Sequence, residues 1–224
     1  GYLTPVLLST GEDRAVALFL YLALLDVGAL VLDHRKPWPE TAPLAALGTV
    51  LLYGGWFAKF YSPARFDVAA IGLVLFTALF ALGQARKPRA DGMAAVLALA
   101  TIGTAILAGT ADRPLWLMAI SGALGLTAFT LAPRLGMLSG LLALFGLGVP
   151  FLVWAGANYR PPSFGIAAGW LTGVLLLMLF RPLARAAKDE PEDPKAAAGA
   201  GVLVACALAA AGLVSASMAS TTDL

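Results

Sequence analysis

The sequence predicts an all-α fold, a polytopic transmembrane helical bundle of about eight spans, and three observations predict it. The chain is 60% hydrophobic and only 12% charged, whereas a soluble domain carries roughly 25% charged residues. Its apolar runs are long enough to cross ~30 Å of hydrocarbon, and short polar breaks separate them. Backbone groups in lipid must be satisfied within the spanning structure, which leaves helices or closed barrels. The ~10-residue alternating segments of a barrel are absent.

The expected spans fall at about 14–32, 43–61, 66–83, 92–109, 114–132, 135–156, 163–180 and 197–219. Residues 1–9 are too short to span; they end an earlier span or lie at the interface. The whole of 1–224 reads as a single transmembrane domain, with 181–196 as a cytoplasmic flexible connector. Within that connector, Lys188 to Lys195 is strongly charged and holds Pro191 and Pro194, the composition of a solvated linker. The chain opens Gly1-Tyr2-Leu3-Thr4-Pro5 with no initiator Met and no basic region before a short apolar core. It is therefore expected to be a piece of a longer polytopic protein whose earlier spans are its neighbours.

Connectors 33–42, 84–91, 133–134 and 181–196 hold ten of the 15 Lys and Arg residues. The positive-inside rule puts these connectors in the cytoplasm and both ends of the chain outside. Trp56, Tyr61, Trp116, Trp154 and Tyr159 fall near span ends on the outer side and Trp38 on the inner side, as aromatic belts require. The net charge of +2 is thus a topology signal and not a nucleic-acid footprint. Basic connectors recur about every 50 residues, and Arg35-Lys36-Pro37 is matched by Arg86-Lys87-Pro88. Any bundle of uniform hairpins shows that period, so the pattern is read as hairpins and not as duplication.

Small residues mark the packing faces. Gly165, Gly169 and Gly173 recur every four residues on the seventh span, Gly136 and Gly140 on the sixth, and Gly201, Ala205 and Ala209 on the eighth. Such faces let helix backbones approach closely in lipid, and contacts within the chain are expected ahead of a dimer interface. Pro150 removes a backbone donor inside the sixth span and should bend it.

The one ionisable residue well inside a span is Asp26. An Asp at mid-span is unfavourable by about 2.5–3.5 kcal/mol, while each Leu, Val or Phe contributes about −0.3 to −0.6. Seven Leu, three Val and Phe19 share its stretch, so the span inserts. Asp26 is the candidate ion- or proton-binding residue; the competing reading is a hydrogen bond to a Thr, Ser or Tyr on a neighbouring helix. Glu12 and Asp13 form an acidic pair just outside the first span, where a membrane enzyme acting on a lipid-linked substrate would place a base. Thr10-Gly11-Glu12-Asp13 before an apolar run also fits an N-terminal capping box, with Thr10 as N-cap and Asp13 reaching back, and that reading is preferred. Lys59 snorkels beside Trp56, Phe60 and Tyr61, His34 is an exposed connector residue, and Cys206, the single cysteine, is a packing residue that excludes an internal disulfide. No phosphate loop, nucleophile elbow or His/Cys metal cluster is present, so no cofactor and no metal are expected.

The opening Gly1-Tyr2-Leu3-Thr4-Pro5-Val6-Leu7-Leu8-Ser9-Thr10-Gly11, followed by Leu18-Phe19-Leu20-Tyr21-Leu22 and Leu24-Leu25-Asp26-Val27-Gly28, resembles the bacterial multi-pass membrane family known as domain of unknown function 2339. The resemblance in residues covers about the first 60 positions; beyond them hydropathy alone matches. It implies a long inner-membrane protein with many spans and no settled activity, and it brings no catalytic residues. Asn is the family expectation where Asp26 stands, which implies that the position needs a polar group more than a charge. Three functions remain open at this point: a transport or permeation role, an enzyme acting on a lipid-linked substrate, and a non-catalytic envelope assembly scaffold.

Overall fold

In lipid the apolar side chains that drive a soluble core inward gain nothing by facing each other, so the interior selects for fit. A computed structural model describes residues 2, 13–35, 40–86, 90–130 and 137–186. Among these residues the structure is all-α: α1 (Ala15–Arg35), α2 (Thr41–Phe60), α3 (Phe66–Arg86), α4 (Ala90–Thr110), α5 (Pro114–Thr130), α6 (Met137–Asn158) and α7 (Phe164–Ala186). Short 3-10 turns at Pro63–Arg65 and Pro161–Ser163 join α2 to α3 and α6 to α7. Four described stretches, Ala15–Arg35, Thr41–Phe60, Pro63–Gln84 and Gly92–Thr110, are long and apolar enough to cross a membrane. Shorter apolar stretches lie at Pro114–Ala128, Phe145–Asn158 and Phe164–Val174. These helices overlie the first seven expected spans; the eighth, 197–219, lies outside the described residues, as do Gly136, Gly201, Ala205, Ala209 and Cys206. Of the expected connector 181–196, residues 181–186 are the last turns of α7 and the rest is outside the described residues.

The chain divides into two compact units, Gly1–Val96 and Leu97–Leu224. In the first, α1 packs on both α2 and α3. Its interior is made mostly of small and aromatic residues: Ala42, Ala45, Ala69 and Ala70 are buried with Phe19, Trp56 and Phe76 and with Leu22, while Val16, Leu20, Leu24, Leu44 and Leu51 face outward. Phe19 is the hub, with ring centroids 5.4 Å from Tyr53, 5.0 Å from Trp56 and 5.8 Å from Phe76. It reaches the middle because Gly72 on α3 leaves room; a Cβ there would come within 2.6 Å of the Phe19 ring.

In the second unit α5 packs most extensively on α6 and also touches α7. Ala128, Ala143 and Ala167 are buried, as are Phe151, Trp154 and Trp170, whose rings form one cluster with Trp154 and Trp170 stacked at 6.1 Å. On α6 Gly146 accepts Thr101 of α4, whose Oγ1 lies 3.6 Å from where a Cβ would stand. Pro150 is fully buried inside an α6 that runs unbroken from Met137 to Asn158. Buried hydroxyls on α4 need no partner helix. Thr101 and Thr104 donate to the carbonyls of Leu97 and Ala100, one turn back, which satisfies them in an apolar surround.

Candidate functional site: the mid-span carboxylate and the two carboxylate–indole contacts

Asp26 sits near the middle of α1 and is fully buried. Position 49 on α2 faces it with a hydroxyl: Thr49 Oγ1 lies 2.8 Å from Oδ1 and 2.9 Å from Oδ2. The Tyr2 hydroxyl donates to Oδ1 at 2.6 Å. Tyr2 gets there because Gly48 has no side chain; a Cβ at 48 would come within 2.7 Å of the Tyr2 ring. Both carboxyl oxygens are therefore held by hydroxyls, and none of these hydrogen bonds comes from a cationic group. This matters chemically. A hydroxyl donates to a carboxylate and accepts from a carboxylic acid, so the station accommodates the group with or without its proton. A Lys or Arg partner would hold it ionised.

At the end of α2 a second carboxylate ties elements together. The first helical hydrogen bond of α1 runs from Leu18 N–H to the Arg14 carbonyl at 3.0 Å, so Asp13 stands just ahead of the helix. Its carboxylate accepts the Trp56 indole N–H at 2.8 Å and pairs with Arg65 from the 3-10 turn. Thr10 and Glu12 lie outside the described residues. Lys59, three residues beyond Trp56, places its ammonium 5.1 Å from the Phe60 ring centre.

The second unit repeats this contact with other residues. Leu117 N–H bonds the Arg113 carbonyl at 3.2 Å, Asp112 precedes it, and the Trp154 indole donates to Asp112 Oδ1 at 3.0 Å. Asn158 adds a bond from Nδ2 to the Ala108 carbonyl at 2.9 Å. Among the described residues there is no carboxylate at the middle of this unit. Gly125 of α5 receives the Leu147 side chain of α6, whose Cδ1 would be 2.6 Å from a Cβ.

Of the other residues singled out in the sequence, Gly165, Gly169 and Gly173 are exposed on α7, and among the described residues a Cβ at any of them would meet nothing within 4 Å. Gly140 lies in the first turn of α6, and His34 is exposed at the end of α1. Near His34 an amphipathic cavity of about 380 Å³ is lined by Val27, Leu30, Leu79 and Leu82 and edged by Asp33, Arg35 and Gln84. Sequence reasoning singled out Asp26 but not its partners Tyr2 and Thr49, and it treated Trp56 and Trp154 as belt residues without their carboxylates. The available signal was Asp-Arg at 13–14 and again at 112–113, each followed by a Trp 43 or 42 residues after the Asp.

Residues 1–222 match the family described as predicted membrane protein, domain of unknown function 2339. The chain belongs to this family. A DUF2339 chain is thus what carries the buried Asp26 station and the two carboxylate–indole contacts, and the match extends far beyond the first 60 residues that carried the resemblance. Neither a curated protein nor a solved structure matches the chain.

Proposed function

We propose that this chain is a transport-related membrane domain in which Asp26 holds a proton or cation, set in eight spans of a bacterial cytoplasmic membrane with both ends outside and the basic connectors in the cytoplasm. One observation carries the reading: the only carboxylate described in the middle of a helix is buried among hydroxyls that fit either of its protonation states. Ionisable residues inside a membrane are costly to place there and mark ion pathways and proton relays. The enzyme reading has less support, since Asp13 is committed to Trp56 and Arg65.

A scaffold reading stands against it on one specific observation. Both Asp26 oxygens are already bonded, as in a purely structural fastening. Treating membranes that hold the full chain with a hydrophobic carbodiimide across pH separates the two. The transport reading expects modification of Asp26 that rises as pH falls and is suppressed by one particular cation. It also expects Asp26→Asn, which keeps the hydrogen bonds, to fold normally and to lose pH-gradient dissipation in vesicles loaded with a pH dye. An Asp26 that stays unmodified at every pH is a sealed fastener, and the scaffold reading then replaces this one.

A further inference from the structure

The two units agree in more than helix order. From the first unit to the second, Leu44, Ala45, Gly48, Trp56, Tyr61 and Pro63 recur 98 residues on as Leu142, Ala143, Gly146, Trp154, Tyr159 and Pro161, and Phe66, Ala69 and Ala70 recur as Phe164, Ala167 and Ala168. Ahead of the first connector the offset is 99: Asp13-Arg14, Leu18, Leu25 and Arg35 recur as Asp112-Arg113, Leu117, Leu124 and Arg134. The geometry keeps the same register. Backbone bonds Leu18 to Arg14, Tyr61 to Phe57 and Arg65 to Ser62 are matched by Leu117 to Arg113, Tyr159 to Ala155 and Ser163 to Arg160. The Trp56–Asp13 contact is matched by Trp154–Asp112. Tyr2 fills the space over Gly48, and the residue 99 positions later, Thr101, lies beside Gly146.

Uniform hairpins explain equal helix lengths. They do not explain one register, offset by 99 ahead of the first connector and by 98 beyond it, shared by identical residues, backbone bonds, an indole–carboxylate contact and a glycine vacancy. We infer that the chain is a tandem duplication of one helical module about 98 residues long, and that the Asp26–Thr49–Tyr2 station is a specialisation of the first copy. The position of Asp26 is Gly125 in the second copy and that of Thr49 is Leu147, and these two residues meet there as well, knob in hole. The module therefore closes the middle of its first two spans without a carboxylate, keeping only the Asp112–Trp154 contact at their end. A buried acid that the fold does not require is retained for its chemistry; this last step rests on the reading of Asp26 proposed above.

The test exchanges one copy's contact for the other's in the full chain. Asp26→Gly and Thr49→Leu are made singly and together, and the melting temperature is read by circular dichroism in detergent. Each single variant should melt lower than the parent, and the double variant should recover more than half of the summed loss, because it rebuilds the Gly125–Leu147 contact. A double variant no better than the worse single overturns the inference. Where neither single variant folds, a chimera carrying residues 138–164 in place of 40–66, with Asp26→Gly, decides: a monodisperse product with parental helix content supports duplication, and failure of the chimera under conditions where Trp56→Phe folds overturns it. A double variant that folds and still dissipates the pH gradient leaves the duplication standing and overturns the functional reading of Asp26.

Discussion

The two units close their helices in the same way at one end and in opposite ways at the middle. At the end, a carboxylate ahead of the first helix takes the indole N–H of a Trp on the second, Asp13 with Trp56 and Asp112 with Trp154. At the middle, one unit joins the helices through a buried acid and two hydroxyls, the other through a leucine seated on a glycine. The third helices differ too. The first unit sends Phe19 from α1 toward Gly72 on α3, while the second has Met118 at the matching place on α5 and a buried Trp170 on α7. The bulky ring comes from the first helix in one unit and from the third in the other. The lesson is that the interfacial contact belongs to the architecture, and the mid-span contact is free to acquire chemistry.

The largest expected effect tests what is common. Trp154→Ala and Trp56→Ala each empty a buried indole-sized space and lose a hydrogen bond, so each should destabilise by about 3–5 kcal/mol in detergent unfolding followed by circular dichroism. Trp154, fully buried and stacked on Trp170, should lie at the upper end. Next come the mid-span substitutions, which test what differs. Asp26→Leu strands the Thr49 and Tyr2 hydroxyls and should lower stability by about 1–3 kcal/mol, whereas Asp26→Asn, which still accepts, should stay under about 1. Equal effects of Leu and Asn would show that the hydroxyls find other partners. Smaller still are the isolated hydrogen bonds. Trp56→Phe and Trp154→Phe keep most of the packing and should each lose about 0.6–1 kcal/mol, the range of polar contacts between membrane helices. Smallest is Arg65→Ser, which gives the first unit the residue found at Ser163. The Arg65 side chain is 44% exposed, so the loss should stay below about 1 kcal/mol and shrink as salt is added.

Hydropathy made the helices legible because a span repeats the same signal over some 20 residues, and seven of the expected spans coincide with described helices. Asp26 was legible for the opposite reason, as one charge where none is affordable. Its partners were not. Tyr2 and Thr49 lie 24 and 23 residues away, and no local pattern ties a hydroxyl to a carboxylate at that range. The duplication was hidden by its own regularity, since pairs of spans give a 50-residue beat in any hairpin bundle; the offset that matters is twice as long and changes from 99 to 98 inside a connector. The spacing of Gly165, Gly169 and Gly173 was plain, but a small-residue face specifies close approach without specifying to what, and among the described residues nothing lies within 4 Å of where their Cβ atoms would stand.

The ring cluster of the second unit has a spectroscopic consequence. Trp154 and Trp170 lie 6.1 Å apart with their planes inclined by 28°, near enough for their excited states to couple, so the pair should produce a split circular-dichroism band that vanishes when either ring is replaced. In the first unit, among the described residues, Trp56 has Phe19 and Tyr53 beside it and no second indole. The chain thus carries a chromophore that reports the integrity of one half of the molecule separately from the other, in any detergent or lipid transparent enough to record it.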